Sequence, residues 1–496
     1  MHGHGKSDRP VVPAKPPNKP ALAGAEAVEG RGLGKGNAAG KTRPGHRAGV
    51  SAPGALYRVR RVARQDEDVR FTALLHHVDV DRLRAAYGAL NPKAAVGVDK
   101  VTWYDYGQDL EANLRDLHAR VHRGAYRARP SRRVYIPKAD GRQRPLGVAA
   151  LEDKILQRAV VEVLNAIYET DFLGFSYGFR PGRSPHRALD ALAAGIYRRK
   201  VNWVLDADIR GFYDAIDHGW MLKFLEHRIA DRRMLRLIRK WLKAGVIEKG
   251  KWSQTTQGAA QGASASPLLS NVYLHYVFDL WADQWRRRHA RGDVIIVRFA
   301  DDYIVGFEHR DDAQRFLDEL RDRLAKFSLE LAPNKTRLIE FGRFAARDRR
   351  RRGAGKPETF QFLGFTHTCA TARNGSFLVK RITDSKRMRA KLRAVKAEMW
   401  RRAHRPIPEQ GHWLAGVLRG HYNYYAVPGN SQAVNGFRDQ VTRPWHKALR
   451  CRSQCTRLNW ERMHRLAQRW LPPATITHPW PEARFDVRTQ ARSPVH

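Results

Sequence analysis

Two adjacent carboxylates stand at the centre of the most regular stretch of the chain. Residues Asp293–Glu308 read Asp-Val-Ile-Ile-Val-Arg-Phe-Ala-Asp-Asp-Tyr-Ile-Val-Gly-Phe-Glu. The apolar runs Val294–Val297 and Tyr303–Phe307 predict the strands of a β-hairpin that turns at Asp301 and Asp302. Neighbouring carboxylates repel each other, and burial between strands disfavours both charges unless a cation neutralises them. Oxygen ligands suit Mg²⁺, so this pair is a candidate metal site; a solvated Asp-Asp turn is the ordinary alternative.

A third carboxylate is expected beside this pair. The apolar stretch Val201–Ile209 predicts a short strand that ends near Asp208. Asp206, Asp214 and Asp217 are competing candidates. Strand alternation points Asp206 and Asp208 to one face, but only the end of the strand is expected to meet a ligand. We therefore predict that Asp208 joins the hairpin pair.

A second predicted hairpin is basic. Val134–Gly147 reads as strand, Asp-Gly turn and strand, and it carries Lys138, Arg142 and Arg144. Cations on a rigid hairpin suit a triphosphate, because Arg makes bidentate contacts and Lys supplies a point charge. Solvated charges on an exposed hairpin are the alternative.

A loop of small residues, Gly258–Pro267, precedes a long predicted helix. Small residues let the backbone approach a ligand closely. An ordinary capping loop is the alternative, since Ser266 followed by Pro267 is a common start of a helix.

Two further segments indicate nucleic-acid binding. The loop Phe175–Ser184 interleaves aromatic residues and Gly with Arg180 and Arg183, a pattern that can stack on bases and hold phosphates or equally pack into a core. Residues 386–469 are helical by pattern, basic and aromatic, and Lys391 and Arg401 are among their cations. Such a face suits a nucleic-acid backbone; a solvated helix face is the alternative.

Composition narrows the class of partner. The chain has 496 residues and a formal net charge of +42, from 91 Lys and Arg against 49 Asp and Glu. So large an excess indicates a polyanionic partner. The sequence shows no apolar run of about 18 residues and no signal peptide, which favours nucleic acid over a membrane. Three cysteines are too few for a disulfide framework and fit a reducing compartment.

The order of these motifs resembles the successive sequence blocks of reverse transcriptases, most closely those of group II intron reverse transcriptases, the intron-encoded maturases of bacteria. The matching blocks are Ile136–Lys138, Arg144–Gly147, Tyr177–Pro181, Asp208–Tyr213, Pro267–Asn271 and Phe299–Asp302. Downstream, Arg419–Tyr425 resembles the maturase (thumb) domain of that family. The resemblance covers about residues 58–469.

The resemblance implies an α+β fold of the right-hand polymerase kind, with fingers and palm followed by an α-helical thumb. It divides the chain into a disordered basic tail (1–57), a helical N-terminal extension (58–129), fingers and palm (130–375), a maturase or thumb domain (380–470) and a basic C-terminal tail (471–496). The tail assignment agrees with composition, because the first 55 residues hold eleven Gly and seven Pro.

The resemblance also implies roles for individual residues. Asp208, Asp301 and Asp302 would be the catalytic palm carboxylates that hold two Mg²⁺ ions. Five residues would bind the incoming nucleotide: Lys138, Arg144, Tyr213, Gln261 and Lys335. Within this set, Tyr213 occupies the position of the bulky residue that excludes a ribose 2′-hydroxyl. Arg180, Arg183, Lys391 and Arg401 are the predicted RNA-binding residues.

The implied function is RNA-directed DNA synthesis on group II intron RNA, together with assistance to the splicing of that RNA. The expected partners are intron RNA, target DNA, a primer strand and dNTPs, in the bacterial cytoplasm and without a membrane. The sequence departs from the family at Phe299, usually Tyr, at Ala260, usually Pro, and at Ala263–Pro267, usually Gly-Val-Ile-Ser-Pro. These departures leave open an alternative, a splicing-only maturase with weak or silent polymerase. No endonuclease domain is expected after the thumb.

Overall fold

A computed structural model of the chain describes residues 54–137, 143–372, 374–452 and 458–483. Most of the predicted N-terminal tail, and Lys138 and Arg142 in the basic hairpin, lie outside the described residues. The first helix of the described residues begins at Gly54, three residues before the predicted end of that tail.

The described residues form an α+β protein with three sheets. From residue 54 to residue 253 the elements are α1 (Gly54–Gln65), a 3₁₀ turn (Leu75–His77), α2 (Val80–Gly88), α3 (Trp103–Gln108), α4 (Leu110–His122), β1 (Ser131–Pro137), β2 (Gln143–Val148), α5 (Leu151–Asp171), α6 (Pro185–Arg198), β3 (Trp203–Asp208), α7 (Phe212–Ala215), α8 (His218–Glu226), α9 (Arg232–Leu242), β4 (Val246–Glu248) and β5 (Lys251–Ser253). The remaining elements are α10 (Ser266–Leu274), a π-helical turn (His275–Asp279), α11 (Leu280–Arg288), β6 (Val294–Phe299), β7 (Asp302–Phe307), α12 (Arg310–Ala325), β8 (Arg337–Glu340), α13 (Ala345–Arg351), β9 (Phe360–Phe362), β10 (Phe365–Thr371), β11 (Phe377–Thr383), α14 (Ser385–Arg401), α15 (Ile407–Tyr425), α16 (Ser431–Arg450) and α17 (Trp460–Trp470).

The central sheet has the strand order β6-β7-β3-β8. Strand β7, in the middle of the sheet, is buried on both faces, since every residue of β7 after Asp302 is buried. The predicted hairpin is confirmed, with β6 and β7 antiparallel and Phe299 paired with Asp302. The predicted strand at Val201–Ile209 is confirmed as β3, which pairs with β7 on one side and β8 on the other.

The predicted basic hairpin is also confirmed as an antiparallel pair. β1 and β2 pair from Arg132 with Val148 to Pro137 with Gln143, and the sheet continues through β4 to β5. Gly147 on β2 lies close to the small-residue loop, since a Cβ built there would be 3.2 Å from that of Ala260. The basic hairpin and the small-residue loop are therefore packed against each other.

The C-terminal third of the described chain is a small sheet followed by four helices. β9, β10 and β11 form an antiparallel sheet in the order β11-β10-β9. Helices α14–α17 enclose an apolar core of their own, in which Leu414, Phe437 and Trp445 are fully buried. No helix in the described ranges combines the length and the apolar character that a membrane crossing needs.

Candidate active site

The central sheet places the three predicted carboxylates at one end of adjacent strands. β3 ends at Asp208 and β7 begins at Asp302, and these two residues are direct cross-strand partners. Directly opposed side chains share one face of a sheet, about 5 Å apart at Cβ. Asp301 precedes Asp302 in the turn. The register therefore brings together three residues that sequence reasoning had to collect from two distant segments.

The competing carboxylates have other roles. Asp206 faces Arg337 on β8, with 3.5 Å between its Oδ2 and the guanidinium. Asp217 caps α8 by accepting a hydrogen bond from the backbone N–H of Trp220 at 2.7 Å. Asp214 lies exposed on the short helix α7. Of the four candidates, Asp208 is the one that lies opposite the hairpin pair.

The pKa values of Asp301 and Asp302 are raised by burial and by neighbouring carboxylates. Asp302 reaches solvent, yet the protein packed around it excludes enough water to raise its pKa to about 7, with further contributions from Asp301 and Asp208. Burial and the charge of Asp208 also raise the pKa of Asp301. Such mutual repulsion is the condition that a cation relieves. Three oxygen-donor side chains converging at one strand end fit a hard divalent ion.

Cations of the protein already face this carboxylate group. The ammonium of Lys335, in the turn before β8, contacts Asp208 Oδ2. Arg144 on β2 partly offsets the rise in the pKa of Asp301, and Arg387 on α14 partly offsets that of Asp302. Among the described residues, no group of three or more His, Cys, Asp or Glu side chains is arranged so that it could hold a metal ion as it stands. Lys335 thus supplies the positive charge at Asp208.

A buried network holds the turn that bears the carboxylates. Arg298 on β6 is fully buried, and its Nε donates to Asp279 Oδ1 at 2.6 Å. Its Nη1 donates to the backbone oxygen of Ala300 at 2.9 Å and to Asn271 Oδ1 at 3.1 Å. Ala300 adopts the left-handed region with φ +57°, which is costly for a residue with a Cβ. The Arg298 hydrogen bond stabilises this conformation.

The loop Phe175–Ser184, called here the aromatic loop, also packs against the turn that bears the carboxylates. Gly178 lies against Ala300, because a Cβ on Gly178 would be 2.2 Å from the Ala300 nitrogen. Asn271 Nδ2 donates to the Gly178 oxygen at 2.7 Å. Phe175 and Tyr177 are fully buried, so most of this loop packs the core, the alternative left open by the sequence. Phe179, with φ +58°, is 56% exposed beside the site.

Of the predicted nucleotide-binding residues, Tyr213, Arg144 and Lys335 lie near the carboxylates. Tyr213 is half-buried, with its hydroxyl 3.5 Å from Ser270 Oγ, and its pKa is raised first by burial and then by the charge of Asp301. The backbone oxygen of Gln261 accepts a hydrogen bond from the Gly147 N–H at 2.7 Å, which fixes the small-residue loop to β2. Arg144 is exposed beside both Tyr213 and Asp301. The structure leaves Lys138 undescribed.

Arg180, a predicted RNA-binding residue, is buried in the structure. Arg180 is 7% exposed, forms an ion pair with Glu169 at 3.1 Å, and donates to the oxygens of Leu173 and Ser176 at 2.7 Å. These contacts use its guanidinium inside the protein, where it supports the aromatic loop. The sequence pattern could not reveal this, because a loop arginine reads the same whether its partner is phosphate or a buried carboxylate.

The other predicted RNA-binding residues lie nearer the surface. Arg183 donates to the Gly174 oxygen at 3.0 Å and stacks over the ring of Tyr177. Lys391 is exposed, and Arg401 is exposed with an ion pair to Glu398 at 3.2 Å. Arg387, which sequence reasoning did not single out, is the helical-module cation that acts on Asp302. The run of basic residues at 386–396, which includes Arg387, was the sequence feature that could have pointed to it.

Comparison with known proteins agrees with this geometry. Residues 136–367 match the reverse transcriptase (RNA-dependent DNA polymerase) family. The chain is 36% identical over 200 residues to Protein YkfC of Escherichia coli, covering 40% of this chain and 52% of that protein. It is 39% identical over 166 residues to the Group II intron-encoded protein LtrA of Lactococcus lactis, covering 33% of this chain and 27% of that protein.

A third relative comes from a eukaryote. The chain is 40% identical over 215 residues to the "Uncharacterized 91 kDa protein in cob intron" of Schizosaccharomyces pombe, covering 42% of this chain and 26% of that protein. The matched segments therefore span about half or less of the length of these curated relatives.

Proposed function

Because the chain carries a reverse transcriptase domain and belongs with the proteins of group II introns, we propose that it is an RNA-directed DNA polymerase that copies group II intron RNA. We propose also that it acts as the splicing cofactor, or maturase, of that RNA. One observation carries the polymerase assignment: the β3–β7 register sets Asp208 opposite Asp302, within the matched domain and beside Asp301.

The three carboxylates are the proposed ligands of two Mg²⁺ ions. When bound, these ions would activate the primer 3′-hydroxyl and stabilise the pyrophosphate that leaves. The donor set supports this choice, since it consists of carboxylate oxygens, and the charge of Asp208 contributes to the raised pKa values of Asp301 and Asp302. The family match supports divalent-metal chemistry in general; the identity and number of the ions belong to the proposal.

The chain's own residues would position the nucleotide. Arg144 offers a guanidinium to the triphosphate from the rigid β1–β2 hairpin. The half-buried ring of Tyr213 would lie against the sugar and leave no room for a 2′-hydroxyl. Lys335 would transfer its ammonium from Asp208 to a phosphate oxygen as the site fills. Gln261 is held beside β2 by its backbone hydrogen bond and would contact the incoming nucleotide.

Primer extension tests the polymerase proposal. The native chain, given a DNA primer on an RNA template with dNTPs and Mg²⁺, should extend the primer. Asp301→Asn and Asp208→Asn should each lose on the order of 10³-fold in rate, which corresponds to about 4 kcal/mol. Asp318→Asn is the control, since Asp318 is an exposed carboxylate on α12 that pairs with Arg321. Extension by all variants alike would mean that the carboxylates are misassigned.

A splicing-only maturase is the second candidate, and Phe299 favours it. Phe299 ends β6 directly opposite Asp302, and it lacks the hydroxyl that the resembling family usually has there. Native protein that binds intron RNA tightly and promotes its splicing, yet extends no primer, would establish this alternative. A gain of extension in Phe299→Tyr would then assign the loss to that position.

A further inference from the structure

Helix α9 presents a purely basic outer face. It contains five basic residues and no acidic residue, and its apolar residues are turned inward: Met234, Leu235, Leu237, Ile238 and Leu242 are buried. Arg232, Arg233, Arg236 and Arg239 are exposed. Net positive charge alone does not explain this, because α12 in the same protein balances four Arg with five acidic residues, several of them ion-paired.

A cavity lies where this helix meets the end of α4. Its volume is about 140 Å³, and its basic lining residues include Arg123, Arg233, Arg236 and Lys240. No carboxylate is among the described residues that line it. Arg123 and Arg236 are exposed, and Arg233 has only a long contact of 3.8 Å with Asp231. Cations from two separate elements thus converge on a space large enough for a phosphate group.

The surroundings hold these cations in place. Lys240 Nζ donates to the Gly124 oxygen at 3.1 Å and contacts the Tyr126 oxygen, which ties α9 to the loop after α4. Asp231 caps α9 and also accepts the backbone N–H of Leu74 at 2.8 Å. The cavity therefore lies between segments that are fixed to each other by hydrogen bonds, and its geometry does not depend on a mobile side chain alone.

We propose that this cavity and the outer face of α9 bind the phosphodiester backbone of folded RNA, at a place separate from the three carboxylates. Arginine favours phosphate because its planar group makes two parallel hydrogen bonds. A polymer is favoured over a free phosphate ion because the exposed cations continue beyond the cavity along a helix of about 16 Å. The inference rests on the proposed RNA-binding function and is independent of polymerase activity.

The test compares two double variants of equal charge. Arg233→Gln/Arg236→Gln removes the cavity cations, whereas Arg321→Gln/Arg347→Gln removes two exposed arginines that each have a carboxylate partner. The probe is a folded RNA hairpin without primer, measured by equilibrium binding at several salt concentrations. We expect the cavity variant to bind about tenfold more weakly and to lower the salt slope by about 1 to 2. The control should stay within about twofold of native.

Further measurements separate the outcomes. Equal losses in both variants, or no loss in the cavity variant, would overturn the proposal. Stabilisation of native protein alone by inorganic phosphate, with RNA binding unchanged in the cavity variant, would mean a small-anion site and would also overturn it. Competition by polyglutamate as strong as that by RNA would point to an acidic protein instead. Unchanged melting temperature and unchanged extension of a short primed template would exclude misfolding and separate this result from failure of the polymerase proposal.

Discussion

At the residue scale, Asp302 contributes to the pH dependence of the protein's stability. Its pKa is about 7 in the folded chain and near the ordinary value of 3.8 when unfolded. The folded state therefore binds a proton that the unfolded state releases between these values, so this residue lowers stability as pH rises from about 4 to 7. Above pH 7 the penalty is complete, and a bound cation would remove it.

Asp302→Asn should remove that penalty. We expect the variant to melt above native protein at pH 8, with only a small difference near pH 4, where the unfolded chain has just begun to release the proton that folded Asp302 still holds. Addition of Mg²⁺ at pH 8 should raise the melting temperature of native protein and leave the variant's almost unchanged. Scanning calorimetry at the two pH values measures both effects. A difference of the same size at pH 4 and pH 8 would contradict the raised pKa.

Residue types predicted part of the site. The Asp-Asp pair and Asp208 could be found from sequence because each ends or begins an apolar strand, where burial disfavours a carboxylate charge unless a ligand or a cation offsets it. The burial of Arg180 could not be predicted, since its partner Glu169 lies in a different element and offers no local pattern. The contribution of Arg387 to Asp302 depends on how the helical module sits beside the sheet.

At the scale of elements, the turn between β6 and β7 depends on a close contact with the aromatic loop. Apolar runs on either side of turn residues predicted both hairpins, because strand and turn signals are local in the sequence. The network that holds the turn was beyond such reasoning. Arg298 is bonded to Ser176 across 122 residues and to Asn271 across 27, and Asp279 meets it from a π-helical turn within a predicted helix.

Gly178→Ala tests that contact. The added methyl would lie 2.2 Å from the Ala300 nitrogen, so either the turn or the loop must move. Since small displacements of reacting groups cost large factors in rate, we expect primer extension to fall about 100-fold while RNA binding persists. Gly436→Ala in α16 is the control, because nothing lies within 4 Å of a Cβ there. Native extension by Gly178→Ala would show that the turn tolerates the shift.

At the scale of the whole molecule, a buried ion pair joins the small sheet to helix α6. Arg381 on β11 donates to Asp190 on α6 at 2.7 Å, and both side chains are at most 3% exposed. The pair links residues 191 positions apart. The order of sequence blocks predicted that these parts occur in one protein, but it contained no information about this junction.

Arg381→Met should be strongly destabilising, because it leaves the Asp190 charge buried with its ion-pair partner removed. We expect a loss of about 3 to 5 kcal/mol in the free energy of unfolding, measured by urea denaturation. Arg401→Met is the matched control, since Arg401 is 78% exposed in its pair with Glu398 and should cost less than about 1 kcal/mol. Similar losses in the two variants would refute the special role of the junction.

The contact between Lys335 and Asp208 has a practical consequence. A protein whose acidic centre carries an internal counterion does not need dissolved metal to stay folded. We expect purification in EDTA to leave the chain native, with a melting temperature close to that in plain buffer. In EDTA, Lys335→Met should melt below native protein, because neither the lysine nor a metal ion then offsets the carboxylate charges. In the resting protein, Lys335 would thus serve as a built-in counterion of the acidic centre.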